Sequence, residues 1–237
     1  MSSRFLSLAF AALLSIATAA PAATVVIWPV DPVLSGTQQA TALWLENKGD
    51  TPVTLQVRSL AWTQAGGEDV TIDQDEVVAS PPIAKVGPGQ RQMVRIIRRQ
   101  PAAAPQERSY RLLIDELPPP PGTPSGDAAS AHLSVKMRYA IPLFVQPAPG
   151  APAPRLTARL VVRDTERMLE VSNQGTGRAR LTDLRVAAAK SDGRAPGGLI
   201  GYVLPGATMA WPVPPGDIAN GVTVAVNGVD QTLLPTS

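Results

Sequence analysis

The chain has 237 residues, 21 Lys plus Arg against 19 Asp plus Glu, a net charge of +2 and no cysteine. Near-balanced charge and only 4% aromatics leave neither the basic face nor the stacking platforms of a nucleic-acid binder. Without cysteine there are no disulfide staples and no thiolate metal sites, so buried apolar surface has to hold the one or two domains such a length allows.

The chain opens on the pattern of a secretory signal peptide, assigned to residues 1–22. A single early charge, Arg4, is followed by an apolar run from Phe5 to Ile16 and then by small residues. Ala17-Thr18-Ala19 and Ala20-Pro21-Ala22 both read as cleavage sites. The run falls short of the roughly 20 residues a spanning helix needs, and no later stretch is longer, so a soluble exported protein is expected.

Beyond it, helical periodicity gives way to short Val-, Leu-, Ile- and Thr-rich segments bounded by Pro, Gly, Asn and Asp. With 25 prolines and 19 glycines, this is the pattern of an all-β sandwich. Strands are expected near 24–30, 39–47, 53–63, 91–97, 108–117 and 131–145. Asn47-Lys48-Gly49-Asp50 and Gly87-Pro88-Gly89 supply turns. About seven strands in about 120 residues is the size of one immunoglobulin-like domain, placed at 23–147.

Four successive prolines, Pro118 to Pro121, cannot enter a ladder, so 117–130 is expected to be a long mobile loop. The Pro/Ala run at 148–154 reads as a stiff linker. A second, smaller β-sandwich is expected at 155–237, with strands near 155–162, 167–173, 178–187, 199–204, 208–213 and 222–226. The fold class is therefore all-β, two immunoglobulin-like sandwiches in tandem.

No catalytic or cofactor site emerges. His132 is the only histidine and has no cysteine beside it, so neither an ordinary metal site nor a triad is indicated. The glycine turns open no helix and are not phosphate loops. No small-molecule substrate or cofactor is expected. In the last strand of the first domain Leu133, Val135, Met137, Tyr139 and Ile141 face one way, and His132, Ser134, Lys136, Arg138 and Ala140 the other. Alternation alone describes an ordinary half-buried strand.

Several blocks go further. Ala79-Ser80-Pro81-Pro82-Ile83, then Gly87-Pro88-Gly89 and Met93-Val94-Arg95-Ile96, form one. Pro105 to Arg111 ending at Asp115-Glu116-Leu117-Pro118 forms a second. Ile141 to Pro147 and Leu169-Glu170-Val171-Ser172-Asn173-Gln174-Gly175 complete the set. In order and spacing the chain resembles the periplasmic pilus-assembly chaperones of the chaperone–usher pathway, closely over 24–147 and loosely beyond.

That resemblance implies a non-enzymatic periplasmic protein whose partners are pilus subunits and an outer-membrane usher. Such chaperones lend their seventh strand to an incomplete subunit. Here Leu133, Val135, Met137 and Tyr139 would fill the subunit's groove. It also implies an ion-pair network between the domains, assigned to Arg95 and Glu107. The family's arginine and lysine anchors for the subunit's C-terminal carboxylate fall at Asp31 and Pro142, which cannot donate to it. Arg111 and Arg138 are the expected replacements, with Lys136 a weaker candidate. The alternative is a structural or adhesive immunoglobulin-like surface protein, such as a pilus subunit. A subunit would be one incomplete domain with a donor extension at its mature N-terminus.

Overall fold

The computed structural model describes residues 25–99, 105–118, 136–148, 150–186, 198–213 and 221–235. Every regular element within them is a strand. The expected loop beyond Pro118 and the donor residues Leu133 and Val135 lie outside the described residues, as does the signal segment.

The first body contains β1 (Val25–Trp28), β2 (Val33–Leu34), β3 (Ala40–Asn47), β4 (Val53–Ala65) and β5 (Glu68–Asp73). It continues with β6 (Val77–Ser80), β7 (Ile83–Val86), β8 (Arg91–Arg98), β9 (Arg108–Leu117) and β10 (Arg138–Val145). One sheet runs β1-β3-β8-β6; the other runs β2-β10-β9-β4-β5, with β7 also on β4. Period-two alternation explains the closure. Leu43 and Leu45, Val94 and Ile96, Leu55 and Val57, Leu112 and Ile114, and Ile141 and Leu143 all turn inward and are buried. Each such side chain contributes about 1.5–3 kcal/mol by leaving water.

The second body contains β11 (Leu156–Arg163), β12 (Glu166–Asn173), β13 (Ala179–Val186), β14 (Leu199–Val203), β15 (Thr208–Pro212), β16 (Val222–Val226) and β17 (Val229–Leu233). Its sheets are β11-β12-β15 and β14-β13-β16-β17. Trp62 and Phe144, from β4 and β10 of the first body, are buried in this second cluster. The apolar interior thus continues across the Pro/Ala segment.

Both bodies use the same device where a strand ends in Asn-x-Gly. Asn47 Oδ1 accepts from Gly49 N–H at 2.9 Å, while its Nδ2 donates to Thr51 O at 2.7 Å and Val86 O at 3.1 Å. Asn173 repeats this with Gly175 N–H at 2.9 Å, Gly177 O at 2.8 Å and Val203 O at 3.0 Å. Asn173 Oδ1 also accepts from Arg155 N–H at 3.1 Å, and Thr176 N–H donates to Ala153 O at 3.0 Å. Ala153 and Arg155 are therefore pinned to the second body. A Cβ on Gly175 would lie 2.3 Å from Ala153 O, so only glycine admits this approach.

Candidate functional site

Strand β10 lies antiparallel to β9 along its whole length, Arg138 opposite Asp115 through Val145 opposite Arg108. On its other side β2 pairs with it only at Phe144 and Val145. The chain crosses from the first sheet to the second between Trp28 and Val33, which leaves Arg138 to Leu143 as an open edge among the described residues. Beside it Val25, Ile27, Val30, Tyr139 and Ile141 line an apolar groove of about 500 Å³. Tyr139 and Ile141 pack on the chain's own core, and Met137 is half-buried. An unpaired row of N–H and C=O groups beside an apolar groove is a template for strand addition.

Register sets the two candidate anchor arginines apart. Arg111 stands opposite Pro142 and Arg138 opposite Asp115. They share a face, but four residues of strand, about 13 Å, separate them. Each also has its own carboxylate. Arg138 bonds Asp115, which Arg58 holds from the far side at 2.7 Å. These bonds, Arg138's foremost, keep the Asp115 carboxyl below its ordinary range. Arg111 reaches Asp69 at 2.9 Å and lies 3.5 Å over the Trp62 ring. The register does not bring the two arginines of the expected joint clasp together: a four-residue offset separates them. Lys136 stands 3.8 Å from Glu116.

Residues 24–150, more than half the chain, match the family of pili and flagellar-assembly chaperones over its PapD N-terminal domain. The chain belongs to that family. This chaperone is similar in structure to a chain of the CsuC–CsuE chaperone–tip adhesion subunit pre-assembly complex from the archaic chaperone–usher Csu pili of Acinetobacter baumannii. That likeness has 27% identity, covers 91% of this chain and 100% of the other, and gives a TM-score of 0.71. The SafB chaperone with the SafA pilin of Salmonella enterica is similar in fold, at 16% identity, 91% and 99% coverage and a TM-score of 0.65. So is the E. coli chaperone DraB, at 17% identity, 88% and 96% coverage and a TM-score of 0.62. No curated protein matches the chain in sequence. The family is one of chaperones and not of enzymes, and it sets the pilus-subunit alternative aside.

The two bodies of the chaperone meet through a polar and aromatic contact. The Glu107 carboxylate is buried against Arg178, whose Nη1 lies 2.5 Å from Oε2 and whose backbone N–H donates to Oε1 at 3.1 Å. The Arg178 guanidinium lies 3.6 Å over the Phe144 ring. Trp62, Phe144 and Tyr202 form an aromatic triangle with centroids 5.5–6.1 Å apart. Gln64 reaches across with both ends of its amide, donating to Tyr202 O at 3.0 Å and accepting from Leu204 N–H at 2.9 Å. Arg95 takes no part. It sits exposed on the outer face of β8, opposite Ala42 and Ser80, because β8 belongs to the sheet remote from Glu107.

Sequence reasoning thus named Glu107 and missed Arg178, Gln64 and Tyr202. Arg178 follows directly on the Gly175-Thr176-Gly177 turn, and its partner lies 71 residues earlier. No periodicity joins positions so far apart. The Asn-bearing turn before it was the one available pointer.

Proposed function

We propose that this chaperone captures pilus subunits by donating the strand that ends in β10 and passes them to an outer-membrane usher. The observation that carries the reading is the open edge of Arg138 to Leu143 beside its apolar groove. The CsuC–CsuE and SafA–SafB complexes, each of a chaperone with a subunit, support it. Leu133, Val135 and Met137 are proposed to enter the subunit's groove, where three such side chains contribute roughly 5–8 kcal/mol before ordering costs. Tyr139 stands at the join between this plug and the chaperone's own core.

Residues 1–22 are proposed as the signal for export to the periplasm, 23–147 and 155–237 as the two domains, and 148–154 as their linker. Asp31 and Pro142 offer no cation, so the family's usual anchor pair is taken to be absent here. Arg111, directly across from Pro142, is the cation best placed to receive a subunit's C-terminal carboxylate.

The test is co-purification from a periplasmic extract of the tagged full chain with an untagged pilus subunit. Val135→Glu would put an unpaired charge into the groove at a cost of several kcal/mol. Subunit recovery should collapse while the variant stays folded. Undiminished recovery would sink the donor-strand reading.

A further inference from the structure

Two hydrogen bonds fix which way each backbone group of β10 points. Phe144 N–H donates to Pro32 O at 3.1 Å on the β2 side, and Glu116 N–H donates to Met137 O at 3.1 Å on the β9 side. Backbone groups of successive residues alternate between the two edges of a strand. Arg138, Ala140, Pro142 and Phe144 therefore turn theirs to the outer edge. Phe144 is already taken by Pro32, and Pro142 has a carbonyl but no N–H. Between Arg138 and Leu143 the open edge offers N–H donors at Arg138 and Ala140 alone.

We propose that Pro142 is a ladder stop that fixes where a docked strand ends. This rests on the reading of β10 as the docking edge. Proline is tolerated on an edge strand because its missing N–H faces no partner in the free protein. Once a strand docks, the carbonyl that should receive the N–H of residue 142 finds none, and an unmet carbonyl is costly wherever water is excluded. The ladder's last donor is then Ala140. Immediately beyond, β2 occupies the same edge, so the docked strand and β2 lie end to end with Pro142 at the joint. Pro142 is itself buried on the sheet face beside Arg111, which holds the stop at a fixed point of the sandwich.

The experiment uses the full chain in complex with the pilus subunit that co-purifies with it, followed by residue-resolved amide hydrogen exchange. In the wild-type complex the Arg138 and Ala140 amides should gain protection over the free chaperone. Pro142→Val and Pro142→Ala each supply the missing N–H. In their complexes the new amide should become protected and subunit dissociation should slow about three- to tenfold, the worth of one added hydrogen bond. Two variants of different bulk guard against a misfolded one, and the spectrum of the free chain reports folding. A new amide that exchanges freely in both complexes, with Ala140 protected and dissociation unchanged, overturns the stop. Unprotected Arg138 and Ala140 amides in the wild-type complex overturn the docking edge itself.

Discussion

Glu107 and Arg178, one from each sandwich body, form an ion pair in which the Glu107 side chain is wholly buried and Arg178 keeps 18% of its side-chain exposure. Taking away the cation strands a carboxylate in the interior, which typically costs about 3–5 kcal/mol. Arg178→Ala is therefore expected to lower the urea midpoint sharply. Glu107→Gln, which keeps the shape and can still accept the Arg178 N–H, should cost less, about 1–2 kcal/mol. Tryptophan fluorescence reports the transition, since Trp62 sits in the same contact. Equal losses in both variants would mean that packing, and not the charge pair, holds the bodies together.

The paired Asn-x-Gly turns give a second expectation. Asn47 and Asn173 are buried; Asn47 satisfies the Gly49 N–H and two carbonyls, and Asn173 satisfies the Gly175 and Arg155 N–H groups and two carbonyls. Asn47→Ala and Asn173→Ala should each lower stability by about 2–3 kcal/mol, because an unmet buried backbone group costs about 1–3 kcal/mol. Asn173→Ala should also free the amides of Gly175 and Arg155 to exchange, since both donate to its Oδ1.

Where the sequence was legible and where it was not follows from burial. Strands with an inward apolar row, such as Ala40–Asn47 and Val222–Val226, lie within a residue of their expected limits. β5 escaped because all six of its residues are exposed, and its one strand partner is β4. β17 escaped for the same reason, with only Leu233 buried. Both had a turn signal that could have revealed them. Gly66-Gly67 and Asn227-Gly228 have positive φ at both positions, the hairpin geometry that Gly-Gly and Asn-Gly favour. At the candidate site the open edge could not be read at all. It depends on where the chain changes sheets between Trp28 and Val33, a tertiary event with no local pattern.

Acid should expose the charge pairs. Arg138 and then Arg58 hold the Asp115 carboxyl low, and Arg159 and Arg163 do the same for Glu170. At Asp69 burial pushes upward, but hydrogen bonds from Gln64 and Arg111 among others outweigh it. Each folded-state pKa thus lies below the ordinary value, 3.8 for the aspartates and 4.5 for Glu170. Their stabilisation is complete above those values and is lost as pH falls through the lower, folded-state ones. The urea midpoint should hold between pH 7 and about pH 5 and decline below about pH 4. Asp115→Asn and Glu170→Gln should each flatten part of that decline; an unchanged acid limb in both would show that other groups govern it.

The last expectation separates the two arginines. Arg111 stands opposite Pro142 with only 19% of its side chain exposed, whereas Arg138 is 64% exposed and paired with Asp115. A partly desolvated guanidinium binds a carboxylate more strongly than a solvated one, because water competes less for its forked donors. Arg111→Ala should therefore weaken capture of the co-purified subunit tenfold or more, which is about 1.4 kcal/mol or greater. It should lower the melting temperature only slightly, since a cation over an aromatic face contributes about 0.5–2 kcal/mol. Arg138→Ala should change capture less than threefold, about 0.6 kcal/mol. Asp69 should act in the opposite direction. Its carboxylate already occupies the Arg111 guanidinium and competes with any incoming one, so Asp69→Asn should tighten capture rather than weaken it. If Arg138→Ala proves the more damaging change, or Asp69→Asn loosens the complex, the carboxylate is held at the far end of β10 and Arg111 only braces Trp62.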